Sequence, residues 1–165
     1  MLEQIQSEFD LNFQALPVSI VLMRMIAAIV LGGVIGFERE GRGKDAGLRT
    51  HMLIALASCL FLLISQELAA LSFGGDADKQ VDPLRLVEAV TAGVAFLSAG
   101  LIFARNGTVK NVTTGASMWL SGAIGMACGA GQMGLALVAT VLVVIVLAAV
   151  GLLERRLSGK DNQAK

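Results

Sequence analysis

Charge is scarce in this chain of 165 residues: Asp, Glu, Lys and Arg make up 16% of it, against about a quarter in a soluble domain, and apolar residues reach 55%. Mean hydropathy is +0.73, so lipid is the expected solvent for most of the polypeptide. Thirteen basic and thirteen acidic residues cancel, and this balance gives no basis for binding nucleic acid. Cys59 and Cys128 stand in apolar sequence without CxxC spacing, which excludes a redox motif and leaves two small buried hydrophobes. His51 is the single histidine, and with no cysteine partner it cannot build a zinc site. Walker A, GxSxG and Ser/His/Asp patterns are all missing, so neither ATP hydrolysis nor another enzymatic activity is expected, and no metal or cofactor is implied. No internal repeat of the inverted-repeat transporter kind is visible. The start, MLEQIQSEFD, is acidic rather than basic and no small-residue cleavage site follows the first apolar run, so that run is expected to be retained as a span.

What the sequence has in quantity is long apolar segments. A hydrocarbon layer roughly 30 Å thick needs about 20 apolar residues in helical form. Segments near 18–37, 51–72, 84–104, 112–131 and 133–153 meet that length, and only GAGQM separates the last two, which demands a tight hairpin. The expected fold class is all-α, a polytopic bundle of five transmembrane helices. Residues 1–17 form an N-terminal tail, 18–153 the transmembrane domain and 154–165 a C-terminal tail.

Basic residues collect on the cytoplasmic side of short-loop membrane proteins. Arg39, Arg42, Lys44 and Arg49 follow span one, Arg105 and Lys110 follow span three, and Arg155, Arg156, Lys160 and Lys165 follow span five: ten of the thirteen. The alternation predicts a periplasmic N-terminus and a cytoplasmic C-terminus. The outer loop carries Asp76, Asp78 and Asp82 but lacks most of an EF-hand pattern, so it reads as a solvated acidic loop.

Helices in lipid associate through close contact of small residues and through interhelical hydrogen bonds. Gly32 and Gly36 on span one, with Ala28, recur every fourth residue, and Gly115, Gly122 and Gly129 on span four recur every seventh, sharing one face. Span four also carries Thr113, Thr114, Ser117 and Ser121, whereas span five is oily throughout; four is expected to be central and five peripheral. Arg24, Glu67 and Glu88 fall inside apolar spans, where a lone charge costs about 2.5–3.5 kcal/mol on insertion scales. At 1.5 Å per residue each lies roughly 6–10 Å from the outer end of its helix. The expectation is an Arg24–Glu88 pair with Glu67 nearby; separate snorkelling to the surface is the competing arrangement.

The cytoplasmic ends are dense in polar groups: Glu38, Arg39, Glu40, Arg49, Thr50, His51, Asn106, Thr108, Thr113 and Thr114 among them. Topology signalling explains the bases but not the acids, hydroxyls and amides. Two readings stay open, loops that fold onto each other through ion pairs and caps, or a recognition surface. Thr108 or Thr113 is a candidate N-cap for span four.

GGVIGFEREGRGKDAGLRTHMLIAL (32–56) and GVAFLSAGLIFARNGTVKNVTTGASMWLSGAIGMACGAG (93–131) closely resemble the MgtC/SapB family of bacterial inner-membrane proteins. The order GxERE, AGLRTHML, GTVxxxTTxAxxW is specific, and the likeness covers about 20–153. Ala95 and Ser98 stand where the family usually has glycine. By motif match the signature residues are Glu38, Arg39, Glu40, Arg49, Thr50, His51, Asn106, Gly107, Thr108, Thr113, Thr114 and Trp119. The resemblance implies four or five spans and an accessory or regulatory role in low magnesium, acid or life inside host cells, hence a link to virulence. It also implies contact with a membrane partner such as a membrane subunit of the F-type ATP synthase; apart from the resemblance, a homo-oligomer is the association expected if the chain forms a transport route. MgtC proper continues into a soluble domain, and this chain is expected to be a short form without it. A small magnesium transporter or channel subunit is the alternative function.

Overall fold

The computed structural model describes residues 1, 13–71, 82–105 and 108–161. Among them are five helices: α1 (Val18–Gly41), α2 (Leu48–Ala70), α3 (Pro83–Leu101), α4 (Val112–Gly129) and α5 (Met133–Asp161). A two-stranded antiparallel ribbon, β1 (Phe103–Arg105) with β2 (Thr108–Lys110), joins α3 to α4. α1, α2 and Leu84–Leu101 of α3 are long and apolar enough to cross a membrane, and the apolar part of α5 is Met133–Ala149. Their outward faces are hydrocarbon: Leu22, Ile26, Val30, Val34 and Phe37 run along α1 with exposures between 44% and 73%. A water-facing helix would carry polar groups there.

Helix ends follow local chemistry. Asp82 precedes Pro83, and its carboxylate accepts from the Leu84 N–H at 3.0 Å, capping α3 where proline has no N–H to satisfy. α1 extends past the expected boundary at 37 because Glu38 and Arg42 pair across one helical turn. Gly43, at φ 62°, then reverses the chain. Glu40 reaches over this turn and accepts from the Leu48 N–H at 2.8 Å, capping α2 from outside its own sequence. Gly131, at φ 77°, makes the tight turn between α4 and α5 that GAGQM demanded. Residues 154–161, in the expected C-terminal tail, are helical and continue α5.

Span three was expected to run to 104. The helix stops at Leu101, and Phe103 begins a strand paired with Lys110. Asn111, in the left-handed region at φ 65°, occupies the N-cap position of α4, rather than Thr108 or Thr113.

α4 touches all four other helices and lies at the centre, while α3 and α5 lie at the periphery. One core joins Ala28 and Ile35 of α1, Ala55 and Cys59 of α2, Ile124 and Cys128 of α4, and Ala136 of α5, none more than 2% exposed. A second, smaller core packs Val90 and Val94 of α3 against Met118 and Ile54.

Candidate functional site

The charged end of α1, the start of α2 and the first turns of α4 meet in a buried polar junction. Arg39 is only 3% exposed, and its Nη2 donates to Thr114 Oγ1 at 2.8 Å. His51, with no exposed surface, sets Nδ1 against the Gly47 carbonyl at 2.8 Å and Nε2 against Ser117 Oγ at 3.0 Å. Ser117 Oγ also lies 2.8 Å from the Thr114 carbonyl. A carbonyl only accepts, so Nδ1 carries a hydrogen whatever the charge on the ring. With a neutral ring, the Ser117 hydroxyl donates to Nε2. With a protonated ring, Nε2 donates to Ser117 and the hydroxyl turns to the Thr114 carbonyl.

Around this junction Glu38 holds Arg42, and Arg42 Nη2 reaches the Ala148 carbonyl of α5 at 3.3 Å. Asn111 Nδ2 donates to Asp45 Oδ2 at 2.7 Å and to the Leu101 carbonyl at 3.1 Å, tying the α1–α2 turn to the end of α3 and the start of α4.

A second polar site lies toward the opposite end of the helices. Arg24 Nη1 donates to the Gly129 carbonyl at 2.7 Å and to Gln66 Oε1 at 3.2 Å, while Gln66 Nε2 donates to the same carbonyl at 3.0 Å. Gly129 ends α4, where carbonyls have no intrahelical donor and the helix dipole is negative, so a guanidinium is suited to that place. Glu67 accepts instead from the backbone N–H groups of Gln14 (2.8 Å) and Ala15 (3.1 Å), pinning the segment before α1.

These positions correct the expected Arg24–Glu88 pair. Arg24 Nη1 is taken up by Gln66 and a helix end, and Glu88 lies exposed on α3 with no ion pair or hydrogen bond among the described residues. The reason is lateral: α3 packs on α4 and barely on α2, so its Glu88 does not reach the α1 side of the bundle.

The junction brings together Arg39, His51 and Thr114. Glu38 and Glu40 act beside it, and Arg49, Thr108 and Thr113 are exposed near it, with Thr50 half-buried, whereas Trp119 lines a groove between α3 and α4 with Val87 and Thr91. Asn106 and Gly107 lie outside the described residues, as do Asp76 and Asp78. Of the small-residue positions, Gly32 and Gly36 back onto α2, Gly115 and Gly122 onto α3, and Gly129 onto α2. Sequence reasoning missed Gln66, Asp45, Asn111 and Gly125, and it took Ser117 only as a polar residue of span four. Gln66 beside Glu67 was the available signal, since an amide in an apolar span needs a partner as a charge does. No group of three or more His, Cys, Asp or Glu among the described residues is placed to hold a metal ion.

Long apolar helices with hydrocarbon outer faces, joined inside by buried hydrogen bonds, define a helical membrane protein. Residues 25–156 match the model of the MgtC family, and the chain belongs to that family. It is 38% identical over 144 residues to the Escherichia coli (strain K12) protein named "Putative magnesium transporter YhiD", covering 85% of this chain and 65% of that one. It is 38% identical over 122 residues to Protein MgtC of Brucella abortus (strain 2308), and 35% over 122 residues to Protein MgtC of Salmonella typhimurium (strain 14028s). Both of those matches cover 74% of this chain and 48% of the relative, so the chain spans about half to two thirds of the length of these proteins. No solved structure matches it significantly.

Proposed function

We propose that this chain is a non-enzymatic accessory protein of the bacterial inner membrane, crossing it five times. In this reading it regulates a membrane partner by helix contact during adaptation to low magnesium, acid or intracellular life. The observation that carries the reading is the closeness of α1, α2 and α4. A Cβ at Gly32 would come within 2.7 Å of the His51 carbonyl, and one at Gly36 within 2.7 Å of Leu48 Cα. Backbones in direct contact, sealed by the Arg39–Thr114 and His51–Ser117 bonds, suit a rigid scaffold presenting its surface. They leave a hydrated ion no passage between those three helices. Arg49 and Thr113 near the junction, and Trp119 exposed beside the α3–α4 groove, would then face the partner, with a membrane subunit of the F-type ATP synthase as the first candidate.

Transport of magnesium or another ion is the second reading, favoured by the name of the Escherichia coli relative. Purified protein in liposomes separates the two. Regulation predicts no magnesium flux above empty vesicles, together with co-purification of a membrane partner that Trp119→Ala or Arg49→Ala weakens. Flux from the purified chain alone would overturn it.

A further inference from the structure

α3 spends one face on its own bundle and leaves the opposite face bare. Val90, Val94, Ser98 and Leu101 turn toward α4, the first three no more than 8% exposed. At 3.6 residues per turn, roughly half a turn away stand Arg85, Glu88, Ala92, Ala95, Ala99 and Ile102, every one exposed. Their spacing alternates three and four residues, the 3.5-residue seam along which two helices wrap. The apolar groove of about 490 Å³ between α2 and α3, lined by Leu53, Phe61, Ala89 and Gly93, is on a flank of α3 and separate from this seam.

Charge says what covers the face. Glu88 sits one to two turns inside an apolar helix, unpaired among the described residues, and Arg85 on the same seam is likewise unpaired. Hydrocarbon against either side chain is costly. Two copies inserted in the same direction and related by a twofold axis along the membrane normal put equal residues at equal depth. Arg85 of one copy then meets Glu88 of the other, one turn along, and the reverse pair forms by symmetry. An antiparallel helix would set both charges against the alanine end and pair neither. Below the charges, three alanines let the axes approach to about 8 Å, where van der Waals contact between helices is greatest.

We infer that a second copy of this chain docks along α3, in a parallel homodimer closed by two reciprocal Arg85–Glu88 pairs. The inference does not depend on the partner proposed above. Single cysteines introduced into full-length protein in native membranes test it, since a disulfide requires Cβ atoms about 3.5–4.5 Å apart. Cys59 and Cys128 are buried, so the unmodified chain is the background control. Oxidation is expected to give a band at twice the monomer mass for Ala92→Cys and Ala99→Cys, and none for Val87→Cys or Leu97→Cys on the flanks. Glu88→Arg and Arg85→Glu are each expected to reduce the Ala92→Cys dimer several-fold, and the double exchange to restore it. Equal crosslinking around the helix, capture of a different protein at the seam, a monomer throughout, or failure of the double exchange would each overturn the proposal.

Discussion

At the scale of single residues, the buried polar groups set the terms. Arg39 is held under the surface by one hydroxyl, and Thr114→Val keeps the shape but removes that acceptor. A loss of about 1–3 kcal/mol is expected, because a buried donor left unpaired forfeits its solvation. Thermal unfolding in nanodiscs checks this, with Thr114→Ser recovering most of the stability. Ser117→Ala strands His51 Nε2 in the same way, at a similar cost of about 1–3 kcal/mol. His51 being the single histidine, its ¹⁵N resonances can be assigned without ambiguity; when neutral, the ring is expected to be the Nδ1–H tautomer. An Nε2–H ring would show that the Gly47 bond is not made. None of these pairings was visible in the motif: Arg39 and Thr114 are 75 residues apart, and nothing in GFERE says which hydroxyl lies opposite. The signature residues were legible as polar groups that apolar surroundings must satisfy. Their partners were not, because partnership depends on the rotation of α1 against α4.

At the scale of elements, the decisive contact is between α2 and α4. Gly125, buried on α4, lies so close to Ala55 that an added methyl would overlap the Ala55 carbonyl and Cα. Gly125→Ala must therefore push the helices apart and open the core at Ile124 and Cys128, and a marked fall in membrane accumulation is expected. Gly134, on α5, has nothing within 4 Å of an added methyl, so Gly134→Ala is expected to be neutral or to stabilise by up to about 1 kcal/mol through helix propensity. Comparing the two by fluorescence size-exclusion of tagged protein separates packing from propensity. The glycine repeat of span four was legible, but the tightest member fell outside it: Gly125 is three residues past Gly122, on the side that faces α2. The β1–β2 ribbon was missed although Asn-Gly is a strong short-range hairpin signal; hydropathy carried the expected helix across Phe103, where pairing with Lys110 takes over.

At the scale of the whole molecule, the basic segments predict that the termini lie on opposite sides of the membrane, the N-terminus outside. Fusions of an enzyme active only in the periplasm are expected to be active after residue 15 and silent after residue 160. Activity at both points would break the five-span arrangement. Salt is expected to matter little for stability, since the Arg39–Thr114 and His51–Ser117 bonds at the centre of the junction are buried and pair charge or imidazole with neutral hydroxyls, which salt screens weakly.

The amino-acid sequence alone determined that this chain lives in oil, roughly where each rod begins and ends, which family it resembles and which residues form the polar ends. Those properties follow from composition and local periodicity, and a segment carries them whatever its neighbours do. Tertiary structure alone decided that Arg24 ends on Gly129 and Gln66 while Glu88 is left bare on α3, and that His51 faces Ser117. Such choices depend on how each helix is turned about its axis. That rotation is set by the close approach of glycine and alanine backbones from distant parts of the chain, which no local pattern encodes.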